Sequence, residues 1–198
     1  MDAGGLKILI IDDNRIRASI LSEGLQEAGY SRVTTLETCA ASLAEVVAVE
    51  PDVIFIDLES PNRDRLESML QMSRTLERPI AVFADKSDTA TIEAAFDSGV
   101  SAYIVDGLKK ERVKPILDIT ISRFNAFNRL KRELAEAKSE LAERKVIDRA
   151  KGLLMKRKGI GEPEAYALLR RSAMNNNRKI IEVAQSLLVA ADLLEDQS

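Results

Sequence analysis

The sequence predicts an α/β domain built on a parallel sheet, followed by a long helix and a small all-α unit. Five short apolar runs rich in β-branched residues, KILIID, RVTTL, DVIFID, PIAVFA and SAYIV, lie between Lys7 and Val105. Stretches with helical spacing separate them, so strand and helix alternate as in a sheet covered on both faces. Beyond Lys109 no strand signal remains.

The elements follow in order. The first run ends in Asp12-Asp13 and leads into a helical stretch marked by Ile16, Ile20, Leu21 and Leu25. The second, Arg32 to Leu36, precedes Leu43, Val46 and Val47. The third is continuously apolar from Val53 to Ile56, the mark of burial on both sides, and ends in Asp57. Leu66, Met69, Leu70 and Met72 give the next helical face, before the runs at Pro79–Ala84 and Ser101–Val105.

In open α/β sheets the chemistry sits beyond the carboxyl ends of the strands. With strand order 2-1-3-4-5 the first and third runs are neighbours, and Asp12, Asp13 and Asp57 converge. Clustered acids repel one another, which is tolerable where a divalent cation binds or one acid reacts. Asp12-Asp13-Asn14 would equally serve to cap the helix that follows.

Glu111 to Arg144 reads as one helix. Phe127, Leu130, Leu134, Ala137 and Leu141 recur at spacings of three and four, and Arg132, Glu133, Glu136, Lys138, Glu140 and Glu143 flank them. This is a short coiled-coil seam suited to pairing with a second copy. The alternative is an amphipathic helix lying on its own domain, against which stands its length: about 30 residues span about 45 Å.

The last segment divides into three helices. Val146, Ile147, Ala150, Leu153 and Leu154 face one way, and Gly159-Ile160-Gly161 ends that helix. Pro163 suits the first turn of the next, which carries Tyr166, Leu169 and Met174. Asn177 is placed to cap a third, with Ile180, Ala184, Leu187, Leu188 and Ala191 on one face. The expected division is therefore 1–120 for the α/β domain, 121–142 for the coiled-coil dimerisation helix and 143–198 for the terminal unit.

At 45% apolar and 31% charged residues, the 198-residue chain has the composition of a soluble globular protein. Cys39 is the only cysteine and there is no histidine, which excludes an internal disulfide and a Cys/His zinc site and fits a reducing compartment. The first apolar run is too short for a signal sequence or a membrane span, so a cytoplasmic location is expected. Charge is unevenly placed. From Arg144 to Lys179 eleven bases face only Asp148, Glu162 and Glu164, although the whole chain carries -3. Such a basic segment on an acidic remainder points to a polyanion-binding module, with a merely solvated face as the alternative.

The acid pair after the first run, Asp57 after the third, and the strand-helix alternation make residues 6 to about 120 resemble the receiver domain of response regulators. The resemblance implies a flavodoxin-like sheet, a magnesium site at Asp12, Asp13 and Asp57, no organic cofactor, and Asp57 as the phosphoacceptor where phosphorylation is used. Two positions depart from the family: Ala84 stands where a threonine or serine is usual, and Asp106 where a lysine pairs with phosphate. Those departures weaken phosphate-driven switching, because a charge-assisted contact is lost and an anion added.

RAKGLLMKRKGIGEPEAYALLRRSAMNNNRKIIEVAQSLL resembles the ANTAR domain, an RNA-binding three-helix module. Receiver, stalk and ANTAR together resemble transcription antiterminators of the AmiR/NasT kind, and SGVSAYIVDGL is similar to the NasT branch of nitrate/nitrite assimilation in particular. This implies a homodimer that binds leader-mRNA hairpins and prevents a terminator from forming. It also implies control by a nitrate/nitrite-sensing inhibitory partner (NasS-like), with a histidine kinase as the alternative input. Lys151, Arg157, Arg170, Arg171, Arg178 and Lys179 are the candidate phosphate contacts. Tyr166 would stack on a base or belong to the core, and Asn177 would read a base edge or cap its helix. A DNA-binding regulator is the competing class, but Ile180 to Leu194 is mostly apolar or acidic and lacks base-reading side chains. An enzyme is not expected, since no histidine or second acid-base group accompanies Asp57 to turn over a substrate.

Overall fold

The structure, a computed structural model, describes residues 5–37, 42–58, 63–106 and 108–195. Cys39 and Gly107 lie outside the described residues. Contacts divide the chain into two units, Met1–Asn128 and Arg129–Ser198.

The first unit is a parallel sheet of β1 (Lys7–Ile11), β2 (Arg32–Leu36), β3 (Val53–Leu58), β4 (Ile80–Ala84) and β5 (Ala102–Val105) in the order β2-β1-β3-β4-β5. This is the flavodoxin-like arrangement that the resemblance to receiver domains implies, and each apolar run became a strand. Burial follows position in the sheet: β3, in the middle, is buried throughout, whereas β2 at the edge is mostly exposed. Helices α1 (Arg15–Glu27), α2 (Leu43–Val49), α3 (Arg63–Leu76) and α4 (Thr89–Asp97) alternate with the strands, and α5 (Lys110–Lys158) begins here.

The period-two alternation of strand side chains creates two cores. Ile8, Ile10, Val53, Phe55, Ala81 and Phe83 face Leu21, Leu25, Val113 and Leu117 of α1 and α5, with Phe55 and Phe83 in an edge-on contact at 5.5 Å. Leu9, Ile11, Ile54, Ile56 and Val82 face the other way, toward Val46, Met72 and Ala95 of α2, α3 and α4. The apolar face of α1 consists of Ala18, Leu21 and Leu25; Ile16, on the opposite side of the helix, is 75% exposed. Its apolar character therefore serves no packing role in this unit.

α1 and α5 approach closely at Gly24. A β-carbon there would stand 2.9 Å from Val113 Cγ2 and 3.0 Å from the Lys110 carbonyl oxygen, so only hydrogen fits. Lys110 also reaches Glu23 at 3.2 Å and Glu27 at 2.7 Å across the same contact.

In the second unit, α5 continues without a break to Lys158, where two helices were expected. Arg144-Lys145-Val146 contains no glycine or proline to end a helix, and charged residues with high helical propensity carry it through. Gly159, at φ 68°, closes it. α6 (Glu162–Asn175) starts with Pro163 in its first turn, and α7 (Ile180–Glu195) follows. The thin core consists of buried Ala150, Leu169 and Ala184, packed by Val146, Ile147, Leu154, Ile180, Val183 and Leu187. Asn177 corrects an expectation. It adopts φ 50° and donates to the Met174 carbonyl at 3.2 Å, while Arg178 N donates to Ala173 O at 2.9 Å. Those two bonds form the αL-terminated motif that ends a helix, so Asn177 finishes α6 and does not cap α7. Among the described residues no helix is long and apolar enough to cross a membrane.

Gly24→Val will destabilise the first unit by about 1–3 kcal/mol through overpacking against Val113 and the α5 backbone. Thermal denaturation checks it: an unchanged midpoint would show that α1 and α5 yield freely.

Candidate functional site

The acid pocket is assembled by strand phase. Ile8 and Ile10 on β1, Val53 and Phe55 on β3, and Ala81 and Phe83 on β4 all face α1 and α5. Two residues further along each strand come Asp12, Asp57 and Asp85, so the same alternation directs these acids to the side from which α1 starts. Asp12 and Asp57 are buried, while Asp13 is exposed.

The start of α1 is fixed by a chain of hydrogen bonds. Asn14 N donates to Asp12 Oδ1 at 2.7 Å. The Asn14 side chain then accepts from Ile16 N and Arg17 N, at 3.0 and 3.4 Å, which is the N-cap. The capping role open to Asp12-Asp13-Asn14 thus falls to Asn14, with Asp12 holding the cap.

Arg17 enters the pocket from this turn. Its Nε lies 2.6 Å from Asp57 Oδ2, and its Nη1 lies 2.7 Å from Asp85 Oδ1. The first approach is an ion pair at hydrogen-bond distance whose alignment is poor, and the second is a well-aligned hydrogen bond. Burial, with the charge of Asp12 beside it, pushes the Asp57 carboxyl up to about 7, against the downward pull of Arg17. Desolvation therefore outweighs the ion pair. Burial alone would lower the Arg17 pKa, but its hydrogen bond to Asp85 and the charges of Asp57, Asp85 and Asp12 raise it.

Among the described residues no three acid side chains are drawn into a metal-holding group. The donor chemistry nevertheless suits magnesium, which prefers carboxylate oxygen: Asp57 Oδ1 accepts no hydrogen bond, and Oδ2 meets Arg17. Ala84 is buried at the end of β4. Asp106 is exposed, with φ 45°, and its N–H donates to Ala84 O at 3.1 Å. The second anion whose charge acts on Asp57, besides Asp12, is Asp85. Sequence reasoning missed Arg17 and Asp85. A signal existed: Arg15 and Arg17 occupy the first turn of α1, which has no acid, although a helix N-terminus disfavours cations.

The candidate RNA contacts lie in the second unit. Arg157, Tyr166, Arg170, Arg171, Arg178 and Lys179 are exposed. Lys151 is committed within the protein: its Nζ lies 2.7 Å from Asp148 Oδ1 and 2.6 Å from Glu162 Oε1, tying α5 to α6. Arg178 folds back on α7, with Nε 3.3 Å from Glu182 Oε2 and Nη2 3.1 Å from Ser186 Oγ. Tyr166 lines an open groove of 680 Å³ beside Ile147, Asp148, Lys151 and Met155, and is 43% exposed. On α5, Phe127, Leu130, Leu134 and Leu141 are each more than half exposed.

Two family models match the chain: the response regulator receiver domain over residues 8–118 and the ANTAR domain over residues 135–188. Transcriptional regulatory protein PdtaR of Mycobacterium tuberculosis is 29% identical over 182 residues, covering 92% of this chain and 89% of that protein. The nitrate regulatory protein of Klebsiella oxytoca is 35% identical over 80 residues, 40% of this chain and 20% of that protein. A two-component response regulator from Clostridium difficile superimposes with a TM-score of 0.52 at 22% identity, over 61% of this chain and 98% of that one, a likeness of fold.

The raised Asp57 pKa sets a pH dependence. The folded state retains a proton that the unfolded chain releases near the ordinary 3.8, so stability falls as pH rises from there to about 7. Asp57→Asn removes that loss. In metal-free buffer its thermal midpoint will exceed the wild-type midpoint at about pH 8 and match it at about pH 4; equal midpoints at both would contradict the assignment.

Proposed function

Because the chain belongs to the response regulators that join a receiver domain to an ANTAR domain, the AmiR/NasT kind, we propose that it is a transcription antiterminator acting on leader-mRNA hairpins. The observation that carries this reading is the ANTAR match over residues 135–188, within which Arg157, Arg170, Arg171 and Lys179 are exposed. RNA duplexes hide their bases in a deep groove, so a small helical module gains specificity from loop bases and affinity from phosphates. Tyr166, partly exposed, is available to stack on such a base. Asn177 and Arg178 lie at the α6–α7 turn, where the backbone of Asn177 ends α6.

The exposed apolar row Phe127, Leu130, Leu134 and Leu141 supports a homodimer through α5. Two RNA-binding modules joined in this way engage two hairpins, the second contact being intramolecular. The 35% identity to a nitrate regulatory protein supports a role in nitrate/nitrite assimilation. Control then passes through a ligand-sensing inhibitory partner, a reading favoured by Ala84 and Asp106 at the receiver's departures; phosphorylation at Asp57 by a histidine kinase is the second reading. Asp12, Asp13 and Asp57 would hold magnesium, which when bound would offset negative charge at Asp57.

Gel shifts comparing a hairpin-bearing leader RNA with duplex DNA test the proposal: preferential binding to RNA is expected, and preference for DNA would overturn it. Replacing Leu130, Leu134 and Leu141 together by glutamine will yield monomers in sedimentation and weaken RNA binding by about 10²-fold or more; tight binding by monomers would refute the avidity. Arg170→Ala or Arg171→Ala will lower the salt slope of binding by about one each. Lys151→Met will leave that slope unchanged, because its charge is already taken by Asp148 and Glu162.

A further inference from the structure

Asp57, with a side chain 1% exposed, would be an isolated anion beside Asp12 without a cation, and the cation within contact is Arg17. We propose that Arg17 is the resident counter-ion of Asp57 and that it competes with a divalent cation for that carboxylate. The guanidinium bridges two acids of unequal burial. Nε touches buried Asp57, and Nη1 holds Asp85, whose side chain is 50% exposed and sits toward solvent.

Three observations support a built device over a chance ion pair. The Arg17 backbone is held by the Asn14 cap, itself held by Asp12, so the guanidinium is delivered to one place. A cation in the first turn of a helix opposes the helix dipole, and α1 has no acid there to relieve it; the cost is offset by Asp57 and Asp85. The guanidinium also remains largely shielded, with 17% of its side chain exposed, so its charge is weakly screened.

The competition follows from distance. Magnesium binds carboxylate oxygen at about 2.0–2.1 Å. With Arg17 Nε 2.6 Å from Asp57 Oδ2, an ion on the same carboxylate would lie within a few ångströms of a second cation, in a site that water screens poorly. Metal entry therefore requires Nε to leave Asp57. Asp85 keeps hold of Nη1, so the guanidinium swings outward without losing both partners. Access of any divalent cation to Asp57 is thus set by a residue on α1.

This inference rests on the proposed magnesium site and is independent of the RNA reading. The test is calorimetric titration of the full chain with magnesium chloride, for wild type, Arg17→Gln and Arg17→Lys. Arg17→Gln keeps a long stem and removes the charge, and will bind magnesium about tenfold more tightly; Arg17→Lys will stay near wild type. In the wild-type protein, the Arg17 Nε–H resonance will move along the magnesium titration with the same midpoint as the Asp57 amide. Equal affinity in Arg17→Gln and wild type, or an Nε–H resonance unmoved at saturating magnesium, would overturn the competition while leaving the metal site standing. Absence of binding in all three proteins would remove both. The wild-type resonance decides the matter even where Arg17→Gln fails to fold.

Discussion

Two carboxylates buried side by side at the carboxyl edge of a sheet demand a positive charge, and the first unit is arranged around that demand. Asp12 and Asp57 are brought to the same side by the pleat of β1 and β3, the side on which α1 begins. Asp12 fixes the Asn14 cap, the cap fixes the first turn, and the turn delivers Arg17 to Asp57. Even so the pairing is incomplete, because desolvation still leaves the Asp57 carboxyl near 7. A pocket balanced so narrowly is sensitive to any cation that enters and to any anion that approaches.

Much of this was legible in the residues. The runs KILIID, DVIFID and PIAVFA carry the strand signal at full strength because central parallel strands need apolar side chains on both faces, and strand order came with the resemblance to receiver domains. The convergence of Asp12 and Asp57 was legible for the same reason. Arg17 was not: helical spacing assigns side chains to faces, and a long flexible cation reaches around its face to wherever acids stand. Counting along the pleat would have found Asp85, two residues past Phe83, as the third member of the row. Ala84 and Asp106 differ from family expectation, but Ala84 carries no charge and Asp106 is exposed.

In the second unit the same contrast holds. Total charge identified a basic segment, since composition survives folding. Which bases remain available did not follow from composition, because Lys151 pairs with Glu162 eleven residues away and with Asp148 one turn before it. Asn177 shows a second limit. An asparagine between two helices suits the end of one or the beginning of the next, and only the backbone, with φ 50°, assigns it to the first.

Gly24 has a bearing on the pocket that packing energy alone does not express. With Val113 and the Lys110 carbonyl pressed against its bare α-carbon, α1 has no play against the opening turns of α5. The same helix carries Arg17 at its other end. Pocket, α1 and the root of α5 are therefore joined through one helix: under the proposed competition, a cation exchanged at Asp57 acts on a side chain of a helix already meshed with the next.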